Sequence, residues 1–276
     1  MEPSAAANGG MNGMTFARAN GGVVHFASEG LRGSHALAFI NSLGTDFRIW
    51  DDIIAPLAGR YAILRYDKRG HGLSEMIASE ASMGDYARDL AALMDQCGVK
   101  RATIVGLSIG GVIAQELYRQ RPDLVASLVL CDTGVKIGTQ EMWAARIAQV
   151  RSGGIEAIAD GVMERWFSSG FRARRTDELA GWRAMLTRTP VAGYLAACEA
   201  LRRADLRPFA GQIKVATLCV VGEEDGSTPV AQVREMARLI GGARFEIIAQ
   251  AGHLPNLEEP DVLRGLIEEH LKEVMA

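Results

Sequence analysis

The chain of 276 residues has only four cysteines, Cys97, Cys131, Cys198 and Cys219, scattered in apolar surroundings with no CxxC pair. That spacing argues against a disulfide framework or a thiolate metal site, and the four read as reduced core residues. No apolar run approaches the eighteen or so residues that a membrane span requires. The opening MEPSAAANGGMNGM has neither the basic start nor the apolar stretch of a secretory signal, so residues 1–13 read as a loose tail and the protein as cytoplasmic. Charge of one sign is also lacking. A net charge of −3 over this length offers no field for a polyanion and excludes nucleic acid as the expected partner, leaving small uncharged or acidic molecules.

What the chain does have is a rhythm. Short apolar or β-branched runs at 35–42, 61–67, 101–108, 126–133, 214–222 and 243–250 alternate with helical patterns near 46–58, 82–96, 109–121, 230–240 and 260–274. Strands apolar throughout and separated by helices predict an α/β fold with a mostly parallel sheet covered on both faces. The run GGVVHFASEG (21–30) alternates more and predicts an antiparallel edge strand. Between Gly134 and Pro208 the rhythm fails, and amphipathic helical segments follow one another without a strand. This predicts a helical lid over residues 134–208, inserted into a core formed by 14–133 and 209–276. Trp143, Trp166, Phe167, Phe171 and Trp182 concentrate the aromatics there.

In RATIVGLSIGGVIAQELY the apolar strand and the helix are joined by Gly106, Ser108, Gly110 and Gly111. G-x-S-x-G alone is weak, but between a strand and a helix it has the setting of a nucleophile elbow, in which a tight turn projects the serine hydroxyl above the sheet. A serine alcohol needs a base to take its proton and a third group to orient that base. Of five histidines, His253 in AQAGHLPNLEEP follows the last strand and precedes the last helix. His25, His35 and His270 fall in strand or helix patterns, and His71 in DKRGHGLS reads as a turn-fixing hydrogen bonder. For the carboxylate, Asp225 in GEEDGSTP stands at the carboxyl edge of the penultimate strand, where open α/β sheets place their chemistry. Asp132, at the end of another strand, is its competitor. The oxyanion formed on attack by Ser108 needs preorganised donors, and the backbone N–H groups of Ile109 and of Leu43, in the NSLGTDFRIW loop, are the candidates. Asp46 reads as the N-cap of the helix after that loop.

These residues resemble the α/β-hydrolase superfamily over nearly the whole chain, through NSLG, YDKRGHGLS, GLSIGG and GHLPNLEEP. NSLGTDFRIWD, DTGVKIGTQEMWAARIAQVRSGG, ERWFSSGFR and ACEALRRADLR look more particularly like 3-oxoadipate enol-lactonases of aromatic catabolism. Most of the superfamily has His-Gly where this chain has Asn41-Ser42. The position of Asp132 is commonly asparagine, so the resemblance does not require a carboxylate there. What it implies is hydrolysis of a small lactone bearing a carboxylate, 3-oxoadipate enol-lactone, with no metal or organic cofactor. A cation near the pocket would then be useful. Lys136, Arg146, Arg202 and Arg203 are candidates, and Lys136 with Trp143 is favoured because KIGT lies where the resemblance is most specific. Competing expectations on the same fold are a carboxylesterase, a carbon–carbon bond hydrolase or a perhydrolase. One of another class is a ligand-binding receptor that retains the fold with slow or vestigial turnover.

Overall fold

The computed structural model describes residues 13–76 and 80–276. Eight strands form one sheet: β1 (Gly13–Ala19), β2 (Gly22–Gly30), β3 (Ala36–Ile40), β4 (Ala62–Tyr66), β5 (Ala102–Leu107), β6 (Val125–Cys131), β7 (Thr217–Gly222) and β8 (Arg244–Ile248). Their order is β1-β2-β4-β3-β5-β6-β7-β8, with β2 antiparallel to both of its neighbours and all pairings from β4 to β8 parallel. The mostly parallel α/β architecture expected from the apolar runs is therefore the one observed.

Two expectations change. Segment 21–30 is antiparallel, but it is not the edge, because β1 lies outside it. The tail expected over residues 1–13 falls outside the described residues except for Gly13, which already belongs to β1. Along β1 the exposed and half-buried residues alternate, and only Ala19 is fully buried, so its sequence carries little of the apolar signal that marks the inner strands.

Helices α1 (Asp51–Leu57), α2 (Met83–Gln96) and α3 (Ile109–Gln120) follow β3, β4 and β5, and α4 (Gln140–Gly153), α5 (Glu156–Trp166), α6 (Ser169–Arg174), α7 (Thr176–Thr187), α8 (Val191–Arg203) and α9 (Arg207–Ala210) fill the interval between β6 and β7. After β7 come α10 (Val230–Leu239), α11 (Pro255–Glu258) and α12 (Pro260–Met275). Every residue of β5 and β7 is buried, so both faces of the sheet are covered there, and strands of this kind read as continuous apolar runs. Because β3 to β8 run parallel, the loops that follow them gather at one edge. That edge carries Asn41–Asp46, Asp67–Ser74, Ser108, Asp132, Asp225 and His253.

At the junction of β5 with α3 the backbones are in close contact. A Cβ on Gly110 would enter the carbonyl of Ile40 at the end of β3. Gly110→Ala is expected to lower the unfolding free energy by about 1–3 kcal/mol through overpacking. Gly181→Ala, in α7 with open space around it, should raise stability by roughly 0.5–1 kcal/mol. Urea denaturation of the two variants checks both signs.

Candidate active site

Ser108 alone makes the turn from β5 into α3, with φ 56° and ψ −118°. A non-glycine residue held there costs of order 1–3 kcal/mol and needs surroundings that enforce it. The enforcement is visible: Ser108 N donates to Cys131 O at 2.9 Å, Gly111 N donates to Ser108 O at 2.9 Å, and Thr133 Oγ1 donates to the same carbonyl at 2.6 Å. A Cβ on Gly106 would meet the Gly110 carbonyl and one on Gly111 would meet the Thr133 side chain, which is why the motif is fenced with glycine. Serine before a helix ordinarily caps it with its hydroxyl. Ser108 does not, so its Oγ is left free of local duty.

On the neighbouring loops, His253 Nδ1 lies 2.9 and 3.0 Å from the two carboxylate oxygens of Asp225. Asp225 also accepts from Ser227 N at 2.7 Å, Thr228 N at 3.0 Å and Thr228 Oγ1 at 2.6 Å. Burial would raise this carboxyl, but the His253 imidazole and these donors hold it down at about 2. Asp132 is the opposite case. Its Oδ1 accepts from Gly222 N at 2.8 Å, while Oδ2 is buried without an acceptable donor. Burial first, and the adjacent Asp225 charge second, push the Asp132 carboxyl well above the ordinary range. Both sequence candidates therefore reach the same place, Asp225 as the anion on His253 and Asp132 as a neutral acid beside it. Asp132, Asp225 and His253 bring three potential metal ligands within 4.8 Å of one another. Yet the ring nitrogen on that side is already bonded to Asp225 and the Asp132 carboxyl is pushed toward its neutral form, an arrangement suited to orienting the imidazole rather than to a cation cage.

The loop Asn41–Asp46 leaves β3 next to Ser108, as the approach of Gly110 to Ile40 requires. Among the described residues, neither Leu43 N nor Ile109 N donates to a protein acceptor. The loop is shaped from inside: Thr45 Oγ1 donates to Ser42 O at 2.9 Å, Asn41 Nδ2 donates to Thr45 O, and Lys68 Nζ reaches both Ser42 O and Thr45 O. Asp46 caps the following turn, accepting from Arg48 N at 3.0 Å. Asp67 ties this end of the loop to the rest, accepting from Phe47 N at 2.9 Å, Leu73 N at 2.9 Å and His25 Nδ1 at 2.8 Å.

The helices between β6 and β7 are stitched to the two loops that carry Asp225 and His253. His253 N donates to Trp166 O at 2.8 Å and Gly226 N to Arg165 O at 3.3 Å. Glu258 accepts from Gly252 N at 2.8 Å and from Ser168 N at 3.1 Å, fixing the His253 turn against the start of α6. The cations expected in this insertion separate into two groups. Lys136 Nζ turns to Asp205 at 3.7 Å, Arg202 to Glu199 at 2.8 Å and Arg203 to Glu80 at 3.9 Å. Arg146, lying over the buried Trp143 ring, forms no ion pair among the described residues, nor does Arg165, which the sequence had not marked. Trp143 itself spends its indole N–H on Ile137 O at 2.7 Å. Both arginines bear on Tyr194: burial and the Cys198 thiol push its phenol up to about 12, while the positive charges of Arg146 and Arg165 pull it down. A Cβ on Gly44 would meet the Tyr194 ring at 3.2 Å, so this cluster abuts the Asn41–Asp46 loop.

Among the remaining histidines, His35 Nε2 is paired with Thr103 Oγ1 at 2.8 Å, and His71 Nδ1 with Arg69 O at 3.2 Å. Thr228, three residues after Asp225, had a signal in the D-x-x-T spacing of GEEDGSTP; Glu258, Tyr194, Arg165 and Lys68 had none, since only the folded chain brings them to this edge. Ser108, Asp225 and His253 are all at least nine-tenths buried. An open cleft of about 790 Å³ between α7 and Thr45–Arg48, and another of about 690 Å³ beside α2, include neither Ser108 nor His253.

The 3-oxoadipate enol-lactonase 2 of Acinetobacter baylyi is 31% identical over 249 residues, spanning 90% of this chain and 93% of that protein. The crystal structure of the enol-lactonase from Burkholderia xenovorans superimposes with a TM-score of 0.90 at 35% identity, covering 94% of this chain and 100% of that one. A thermophilic esterase from Thermogutta terrifontis matches with a TM-score of 0.89 at 26% identity, over 95% of this chain and 99% of the esterase. Residues 35–266 match the profile of the Alpha/beta hydrolase family, and with that coverage the chain belongs to this family of hydrolases.

Proposed function

We propose that this hydrolase opens the lactone ester of 3-oxoadipate enol-lactone to give 3-oxoadipate, through an acyl-enzyme on Ser108 and beneath a lid formed by residues 134–208. The observation that carries the choice of substrate is the pair of half-buried arginines, Arg146 and Arg165, which line one cleft between α4 and α5 with no carboxylate partner among the described residues. Two guanidiniums left without anions of their own suit the free carboxylate of a small acidic ester. Arg146 replaces Lys136 as the favoured cation because the Lys136 ammonium is directed to Asp205. The likeness to enol-lactonases supports the same reading.

In the reaction, Ser108 Oγ attacks the lactone carbonyl and His253 Nε2 takes its proton, while the Asp225 carboxylate on Nδ1 orients the ring and stabilises the imidazolium. Leu43 N–H and Ile109 N–H hold the developing oxyanion. The carbonyl reforms as the ring C–O bond breaks, the His253 imidazolium gives its proton to the leaving oxygen, and the resulting enol tautomerises to the ketone, so expulsion is easy. His253, again neutral, then takes a proton from water as its oxygen attacks the acyl-enzyme; the acyl–Oγ bond breaks, His253 returns the proton to Ser108 Oγ, and 3-oxoadipate leaves. No step calls for a metal or an organic cofactor.

Three outcomes are expected. A fluorophosphonate should label the wild-type protein and not Ser108→Ala; a wild type that resists labelling would make the site a ligand receptor. Loss of enol-lactone ultraviolet absorbance should exceed p-nitrophenyl acetate hydrolysis in kcat/KM, and Arg146→Gln or Arg165→Gln should lower the lactone value roughly 10–100-fold, the loss of one charged hydrogen bond. A preference for the acetate would favour the simple carboxylesterase, to which the Thermogutta terrifontis likeness points. The two acids should also behave oppositely. Asp225→Asn is expected to cut kcat by about 10³–10⁴, whereas Asp132→Asn should change kcat little. Because the folded Asp132 keeps a proton that the unfolded chain has lost above about pH 4, wild-type stability is penalised increasingly as pH rises from there. The gain in Tm of Asp132→Asn over wild type should thus be larger at pH 8 than at pH 5, read by calorimetry.

A further inference from the structure

Lys68 has no place in the reaction just described. Its side chain is completely buried, and among the described residues it forms no ion pair. The ammonium donates to two backbone carbonyls, Ser42 O and Thr45 O, the latter at 3.3 Å. A buried ammonium is costly unless its charge answers something. Ser42 C=O and Leu43 N–H belong to one planar trans peptide, pointing to opposite sides of it. A cation on the oxygen draws electron density through the peptide and makes the N–H on the far side a stronger donor, a cooperative effect on the order of 10–30% per bond.

We propose that Lys68 is a positioning residue for the oxyanion hole: its ammonium, seated behind the Ser42–Leu43 peptide, aims the Leu43 N–H and polarises it toward the oxyanion formed at Ser108. The proposal rests on the serine-hydrolase reading of the site but not on the identity of the lactone. It also predicts an alkaline limit to activity. Burial lowers the Lys68 ammonium to about 7, against the pull of the Asp67 and Asp46 carboxylates. The other titratable group facing it is His71, on the same loop, held neutral by burial and by the Lys68 charge itself. Asp67 is already bonded by His25 and Asp46 by Arg48, so neither is free to move to the ammonium. As pH rises through neutrality Lys68 gives up its proton, and the polarisation of the Leu43 donor is lost. The sign is opposite to that of His253, which must shed its proton to serve as base.

The test uses p-nitrophenyl acetate, an ester without a carboxylate, so that its outcome is independent of the lactone. Wild-type kcat should fall by about tenfold on the alkaline side of neutrality, and Lys68→Met should lower the plateau about 10–100-fold with KM within threefold while abolishing the alkaline limb. Lys68→Gln, a neutral donor to the same carbonyls, should recover part of the plateau but not the limb. A trifluoromethyl ketone that forms an oxyanion adduct on Ser108 should bind Lys68→Met more weakly by the same factor as kcat falls. A wild-type profile flat from pH 7 to 9, or an alkaline limb that survives in Lys68→Met or Lys68→Gln, overturns the proposal even if a variant folds poorly. Failure of the serine-hydrolase reading shows separately, as turnover that persists in Ser108→Ala.

Discussion

A strand can pass into a helix within one residue only where the two backbones are allowed to touch, and the site of this protein is built on that contact. Gly106 faces the Gly110 carbonyl, Gly110 faces the Ile40 carbonyl and Gly111 faces Thr133. Because no side chain intervenes, Ser108 is driven into positive φ and its hydroxyl is turned away from the helix it precedes. The same contact brings the end of β3 against the start of α3, and so sets the Asn41–Asp46 loop beside Ile109. The position of Ser108 and the approach of the Asn41–Asp46 loop to Ile109 are therefore consequences of one packing constraint rather than separate inventions.

Electrostatics then sorts groups of the same kind into different states. Asp132 and Asp225 sit on adjacent strands, both buried, yet the donors from Ser227, Thr228 and His253 converge on only one of them. Two adjacent buried carboxyls do not both ionise readily, and the one with fewer donors keeps the proton. Asp132 in its neutral form offers the hydrogen-bonding character of an asparagine side chain. Lys68 follows the same logic, as a charge whose partners are backbone carbonyl dipoles.

Much of this was legible in the sequence because it depends on local pattern. The parallel strands are mostly apolar, the helices between them have clear period, and each of the six parallel strands was placed to within a few residues. Ser108, Asp225 and His253 could be marked because each follows a strand, and parallel strands bring such positions to one edge. What escaped was set by packing between distant segments. β1 has an outer-strand composition, so its role as the true edge left no apolar run to detect. Lys136 and Arg146 are equivalent as isolated letters; only the position of Asp205 separates them. Lys68 reads in sequence as an ordinary charge in a turn, and its burial beneath another loop is a property of the fold alone.

The bonds from α5 to the neighbouring loops constrain how the enclosed site exchanges molecules with solvent. The carbonyls of Arg165 and Trp166 hold Gly226 and His253, and Ser168 shares Glu258 with Gly252. If the helices between β6 and β7 swung away as one rigid cap, they would pull the backbone anchors from under Asp225 and His253 together. Passage in and out that keeps those anchors must run through the parts of the insertion not tied to them, as side chains and single helices shift while the end of α5 stays in place. The insertion is then a brace for this edge of the sheet, and an alteration in its remote helices is felt in the alignment of Asp225 and His253.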